Sequence, residues 1–289
     1  MENEVIENKF ELSILASFKM LLMYYILIPL IVGLPLRLIA LNMSFGSFDT
    51  LSIITIFLND VLTNIVGVKL TLNKIRNKLK VNFKIHYIEK FNFKLLLYTV
   101  LLFLGFFVCR QSSIGHLVEK IPLPDFVEKQ FENLSLSSTP SIIAASVVVF
   151  IFIVIIAPVF EEILIRGIIL EGFLNKYKAL TAIIVSSLIF GIIHLNIPQF
   201  INATLLGLFL AIIYYKTKSL ILCIVSHALN NILAIALIFV NFQFNVISLF
   251  IGIVLFIVAG IFFIKHVNEL PSTTVSPEED NTSSELPVE

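Results

Sequence analysis

Apolar residues run along this chain in long stretches separated by short polar breaks, at 14–41, 50–72, 94–109, 141–173, 181–197, 201–215, 220–240 and 246–264. Most of these runs approach the roughly 20 residues that a helix needs to cross a bilayer. Lipid offers backbone amides no partner, and barrel strands would alternate polar and apolar side chains, which these runs do not. The pattern predicts an all-α polytopic membrane protein of about eight transmembrane helices. Breaks are expected near Pro35 and Pro198, and the runs 181–197 and 201–215 are short enough to be tilted or partly re-entrant.

Composition points the same way. Of 289 residues, 58% are hydrophobic and 14% charged, with a mean hydropathy of +0.98. A soluble domain carries about 25% charged residues, and this apolar excess could not be hidden in one water-soluble core. The formal net charge is zero, so no basic excess argues for a nucleic-acid partner. The N-terminus, with Glu2, Glu4, Glu7 and Glu11, lacks the basic start and small-residue cleavage site of a signal peptide. The first span is therefore expected to stay in place. Cys109 and Cys223 lie in or at the end of apolar runs and are expected to be reduced packing residues.

Basic residues sort the loops. Lys74, Arg76, Lys78, Lys80, Lys84, Lys90 and Lys94 follow the second run, the pairs Lys176/Lys178 and Lys216/Lys218 lie further on, and Lys265 follows the last. Eight crossings put all of them on one side, the cytoplasmic side, together with both termini; seven crossings cannot. The 110–140 loop, with Glu119, Asp125, Glu128 and Glu132, then faces outward. Three parts result: N-terminal transmembrane helices and outer loop (1–140), a transmembrane core with polar insertions (141–264), and a cytoplasmic tail (265–289). The tail is rich in Ser, Thr, Pro and Glu from Pro271 onward and is expected to be disordered.

The exceptions within the core carry the chemistry. The fourth run holds Pro158, Glu161, Glu162 and Arg166, the fifth Phe190 and His194, the seventh His227, Asn230 and Asn231. Ionisable groups at membrane depth are costly and face a polar interior. Counted from the nearest cytoplasmic lysine at about 1.5 Å per residue, Glu161, His194 and Asn231 lie roughly 22, 24 and 20 Å deep, and His227 roughly 14 Å. Three spans thus place polar groups in one band. Glu162 and Arg166 are four apart and can pair on one helix face, as can His227 with Asn231 and Phe190 with His194. Glu161 is rotated by about 100° from Glu162, so the two carboxylates are expected to differ in role. Pro158 is expected to bend the span just before them.

A carboxylate beside an imidazole can activate water, and a second imidazole with a neighbouring amide can donate to a developing oxyanion. Glu161, His194 and His227 are also a zinc ligand set, although no H-E-x-x-H is present and the ligands would come from three helices. Metal-activated and Glu–His-activated water both remain open at this point. A structural reading makes these residues glue between helices, with Glu162–Arg166 a buried ion pair, and a transporter reading makes Glu161, Arg166 and Asp60 an ion path.

E-E-x-x-x-R at Glu161–Arg166, F-x-x-x-H at Phe190–His194 and H-x-x-x-N at His227–Asn231 resemble the motifs of the CPBP family, the CAAX proteases and bacteriocin-processing enzymes also called Abi. The resemblance covers about residues 141–240, and no motif position departs from the pattern. It implies an intramembrane endopeptidase of metalloprotease type, with Glu161, His194 and His227 as the candidate zinc ligands, acting on a membrane-embedded peptide or protein. Glu161 and His194 would activate water, and His227 and Asn231 would stabilise the oxyanion. Glu162, Arg166 and Phe190 would shape the site or contact substrate. Asn230 also fits a looser form of the third motif, so Asn231 is preferred on helical spacing alone. A scaffolding or acyl-transferring member of the same fold is the competing expectation. The abundance of Ile, Lys, Asn and Phe and the absence of Trp suggest AT-rich coding in a Gram-positive bacterium. That setting favours peptide maturation or bacteriocin self-immunity over cleavage of prenylated proteins.

Overall fold

Helices begin in this protein where a short polar side chain precedes an apolar run. Ser13, Asn92 and Asn196 each accept a hydrogen bond from a backbone amide three residues on, at 3.2, 2.8 and 2.9 Å. Asn245 and Ser248 cap each other's amides reciprocally. Such caps satisfy amides that the first turn leaves without partners. The computed structural model describes residues 10–35, 38, 50–79, 85, 91–118, 120–122, 140–240 and 242–270. Its helices, in chain order, are α1 (Ile14–Gly33), α2 (Thr50–Leu79), α3 (Phe93–Gly115), α4 (140–174), α5 (Ala179–Ile192), α6 (Ile197–Thr217), α7 (Leu220–Phe239) and α8 (Val246–Glu269). Among the described residues there is no strand, and six helices are long and apolar enough to cross a membrane, with α5 a shorter apolar one. The protein is a polytopic all-α membrane protein.

α4 is the central mast. From Glu162 to Phe173 every residue is buried, so this stretch is enclosed on all faces. α5, α6 and α7 pack around it. The chain before α1 straps its far end, where the Leu12 amide donates to the Gly172 carbonyl at 3.0 Å and Asn175 Nδ2 to the Phe10 carbonyl at 2.9 Å. Lys176–Glu11 and Lys218–Glu171 ion pairs, at 3.0 and 2.6 Å, lie at this same end.

α3 and α8 form an antiparallel pair along their whole length. Asn92 Oδ1 meets His266 Nε2 at 3.1 Å, Tyr98 stacks on Phe262, and Ser112 bonds Ser248 at 2.9 Å. Two glycines let the backbones approach. A Cβ on Gly105 would stand 2.5 Å from the Phe256 amide nitrogen, and one on Gly252 would stand 3.0 Å from that of Cys109. Small residues at such crossings are how helices gain close packing where lipid removes the hydrophobic drive.

Several expected boundaries move. Pro198 does not break a helix but sits in the first turn of α6, where a missing amide costs nothing. The break falls at His194–Asn196, with Leu195 in the left-handed region at φ 58°. α5 has 14 residues, about 21 Å at roughly 1.5 Å each, and falls short of a hydrocarbon layer of roughly 30 Å. α3 runs past 109 to Gly115, and α2 past 72 to Leu79, carrying Lys74, Arg76 and Lys78 with it. Pro158 widens α4 without ending it: the Ala157 amide, just before it, bonds five residues back to the Phe152 carbonyl. α1 does the same at Pro29, where the Ile28 amide reaches the Met23 carbonyl. Cys109 and Cys223 are both free thiols. The outer-loop acids Glu119, Asp125, Glu128 and Glu132, the lysines 80, 84 and 90, residues 1–9 and the tail from 271 lie outside the described residues.

Gly105→Leu would drive a side chain into the Phe256 backbone, which cannot yield as a flexible side chain can. We expect a loss of about 1–3 kcal/mol, as for other overpacked sites. Thermal unfolding of the purified protein in detergent should show a lower midpoint, and an unchanged midpoint would refute the α3–α8 contact.

Candidate active site

Glu162 and Arg166 lie one turn apart on the enclosed part of α4, both fully buried. Arg166 Nη1 donates to Glu162 Oε1 at 2.8 Å, Nη2 donates to the Gly207 carbonyl of α6 at 3.2 Å, and the guanidinium lies 4.6 Å from the centre of the Phe190 ring. The same Glu162 Oε1 receives His227 Nδ1 from α7 at 2.8 Å. An ionised carboxylate only accepts, so the imidazole donates from Nδ1 and turns Nε2 away from Glu162. Glu162 Oε2 is buried without a hydrogen-bond partner among the described residues. One oxygen therefore takes two donors and the other none, an arrangement that aims His227 rather than one that maximises stability.

His227 Nε2 faces Glu161 Oε2 at 3.9 Å, too far for a direct hydrogen bond. Glu161, next to Glu162 but rotated off its face, keeps 24% of its side-chain exposure while Glu162 keeps none. Glu161 is in electrostatic reach of His227, His194, Glu162 and Arg166 together. The two adjacent carboxylates thus have different surroundings. One is locked in a buried pair and the other is open.

His194 follows the last turn of α5, where the short helix ends inside the bundle. Its Nδ1 lies 2.9 Å from the Phe190 carbonyl, which can only accept, so the neutral ring keeps its lone pair on Nε2. Phe190, wholly buried, spaces the two imidazoles: His194 and His227 both meet its ring edge-on, at 5.2 and 5.5 Å and interplanar angles of 87° and 86°.

A cavity of about 270 Å³ opens beside this cluster, lined by His194, His227, Asn230 and Asn231 together with Arg110, Gln111 and Asn202. Glu161 is not part of its wall and approaches through His227. Asn231 Nδ2 donates to the Ile153 carbonyl of α4 at 2.8 Å and Asn230 Nδ2 to Asn231 Oδ1 at 3.1 Å. Asp60 is elsewhere. It lines a separate space of about 440 Å³ between α1 and α2, with Tyr24, Tyr25, Thr63 and Asn64. Neither of these two cavities brings Glu161 or Arg166 together with Asp60 among its described lining.

Glu161, His194 and His227 have the donor types of a zinc site, and both imidazoles are held through Nδ1 as metal-bound histidines are. Among the described residues, however, no three His, Cys, Asp or Glu side chains are gathered closely enough to hold a metal ion.

Arg110 is the feature that the sequence pattern conceals. The apolar run ends at 109, so Arg110 reads as the first loop residue. The extension of α3 to Gly115 instead draws it into the bundle, 7% exposed. A lone arginine closing an apolar run was the available signal.

Residues 143–233 match the family model of Rce1-like proteins, described as Type II CAAX prenyl endopeptidase Rce1-like. This segment encloses all three motifs. A stretch of 77 residues is 34% identical to "Putative membrane peptidase YdiL" of Bacillus subtilis (strain 168), covering 27% of this chain and 32% of that protein. The chain thus matches about a third of that relative's length. No solved structure matches the chain.

Removing Arg166 would leave the Glu162 carboxylate buried with only His227 as partner. Loss of one member of a buried pair costs about 3–5 kcal/mol. Arg166→Met should therefore lower the unfolding midpoint sharply, and Glu162→Gln added to it should recover much of the loss, because the amide oxygen can still receive His227 Nδ1. A midpoint that does not move on Arg166→Met would show that Arg166 is not what compensates the buried Glu162.

Proposed function

We propose that this chain, a CAAX-protease family member over its segment 143–233, is an endopeptidase that cleaves a membrane-associated peptide or protein within the bilayer. The observation that carries this reading is the pairing of an open carboxylate, Glu161, with an imidazole that a second, buried carboxylate aims at it. That pair stands at the edge of a polar cavity holding a second imidazole and two amides.

The reaction uses these groups as follows. Water sits between Glu161 Oε2 and the imidazoles, and the 3.9 Å separation from His227 Nε2 lets one water touch both atoms. Glu161 takes a proton as the water oxygen bonds to the scissile carbonyl carbon. His194, with its lone pair on Nε2, accepts the other water proton as a hydrogen bond and orients the attack. The carbonyl oxygen becomes an oxyanion, and N–H groups of the Asn230–Asn231 pair meet it. His227 donates from Nδ1 to Glu162, which turns its Nε2 edge towards Glu161 and the water. The C–N bond breaks as the proton held by Glu161 passes to the leaving nitrogen, giving a carboxylate and an amine. Each oxyanion donor contributes about 3 kcal/mol in sites of this kind.

Orientation follows the basic residues. Lys176, Lys218 and the Glu11 segment meet at one end of α4, which supports a shared cytoplasmic side and cytoplasmic termini. The substrate is a peptide or membrane protein in peptide maturation or bacteriocin self-immunity, in a Gram-positive cell. Segment 1–140 and the tail flank the catalytic core 141–264.

Glu161→Gln and His194→Ala should each reduce cleavage about 10²–10⁴-fold while the protein still accumulates in the membrane. Membrane peptidomes of wild-type and Glu161→Gln cells test this. Fragments that are present in the first and missing in the second support the reading. Identical peptidomes with intact accumulation of both proteins would end it.

A further inference from the structure

Arg110 holds a chain of hydrogen bonds whose direction has no alternative. A guanidinium only donates, so the Asn230 oxygen must face it, and Arg110 Nη2 reaches Asn230 Oδ1 at 2.9 Å. Asn230 Nδ2 is thereby turned to Asn231, whose Oδ1 lies 3.1 Å away. Asn231 Nδ2 in turn must donate, and the Ile153 carbonyl accepts at 2.8 Å. Both ends of the relay are groups of fixed polarity, a cation at one and a backbone carbonyl at the other. Neither amide can flip without losing a bond. Each amide nitrogen retains a second N–H, and both residues line the cavity with His194 and His227.

The cation is also nearly enclosed where it stands. Arg110 is 7% exposed, and its guanidinium lies 5.6 and 5.3 Å from the Phe106 and Phe107 ring centres. Among the described residues, no carboxylate pairs with it. A charge in such surroundings polarises the amide it binds and strengthens the next hydrogen bond along the chain. Arg110 belongs to α3, outside the segment 143–233 that carries the three motifs.

We propose that Arg110 is a positioning residue that orients and polarises the Asn230–Asn231 amide pair as a single oxyanion-binding unit. This rests on the endopeptidase reading. The choice between Asn230 and Asn231, which helical spacing could only weigh, becomes a choice of both. Asn231 is anchored to α4 at Ile153, about two turns before the carboxylates, and Asn230 links that anchor to the cation.

The test uses the full chain in proteoliposomes with an internally quenched library of apolar peptides. Arg110→Gln and Asn230→Ala should each lower kcat about 10- to 100-fold, as loss of a positioning partner does. KM should stay within about twofold, because the oxyanion exists only beyond the ground state. Arg110→Lys, which can still donate to Asn230 Oδ1, should recover part of kcat. The Arg110→Gln/Asn230→Ala double variant should be no slower than Asn230→Ala alone, since both act through one relay. If Arg110→Gln does not accumulate, Arg110→Lys and Asn230→Ala still decide. An unchanged kcat, a raised KM at unchanged kcat, or additive losses in the double variant would overturn the proposal and leave the endopeptidase reading standing. Wild-type rates in Glu161→Gln would instead remove that reading, and this proposal with it.

Discussion

Glu162 is the side chain on which the arrangement depends, because a carboxylate with no exposed surface must be answered by the protein around it. Two donors from two helices converge on one of its oxygens, Arg166 from α4 and His227 from α7. Arg166 extends the connection to the Gly207 carbonyl of α6 and to the ring of Phe190 in α5. Four helices are thus tied by one charge cluster, and the tie leaves His227 with a single orientation. Packing alone would not do this, since side chains of lipid-like polarity gain little by choosing one neighbour over another.

Helix geometry supplies the second constraint. α5 ends short of a full crossing, which leaves His194 on an irregular turn at the depth where the other polar groups lie. Irregular backbone is tolerated there only when enclosed by protein, and α6 encloses it by folding straight back. Gly191 makes that return possible, because a Cβ there would collide with Thr204 and Phe200 of α6. The wide turn ahead of Pro158 acts similarly on α4. It absorbs the missing amide and carries the helix on to present Glu161 and Glu162 on different faces.

The spans and the three polar motifs were legible because lipid imposes a simple code: long apolar runs, with every exception requiring a reason. The fold class and the grouping of Glu161, Glu162, Arg166, Phe190, His194 and His227 follow from that code. Helix ends were less legible, because a cap or a proline in a first turn is decided by which residue the chain folds back upon. Pro198 looks like a breaker in a string of letters and is a first-turn residue once Asn196 caps the helix. Arg110 was misread for the same reason. Its place depends on α3 continuing beside α8 for a further turn, an event of tertiary packing at which a lone arginine closing an apolar run only hints.

That misreading bears on how the site is divided between parts of the chain. The matched segment 143–233 carries the carboxylates, imidazoles and amides, yet Phe107, Arg110 and Gln111 of α3 also line the cavity. α3 is held in register along its whole length by α8, through Gly105, Gly252 and the stacked Tyr98 and Phe262. A shift of that pair by one helical turn would move Arg110 about 5.4 Å along the bundle and break its bond to Asn230. The glycine contacts between two helices that carry none of the motifs therefore set the position of a charge inside the site. The reactive groups come from one part of the sequence, and the precision with which one wall of their cavity is placed comes from another.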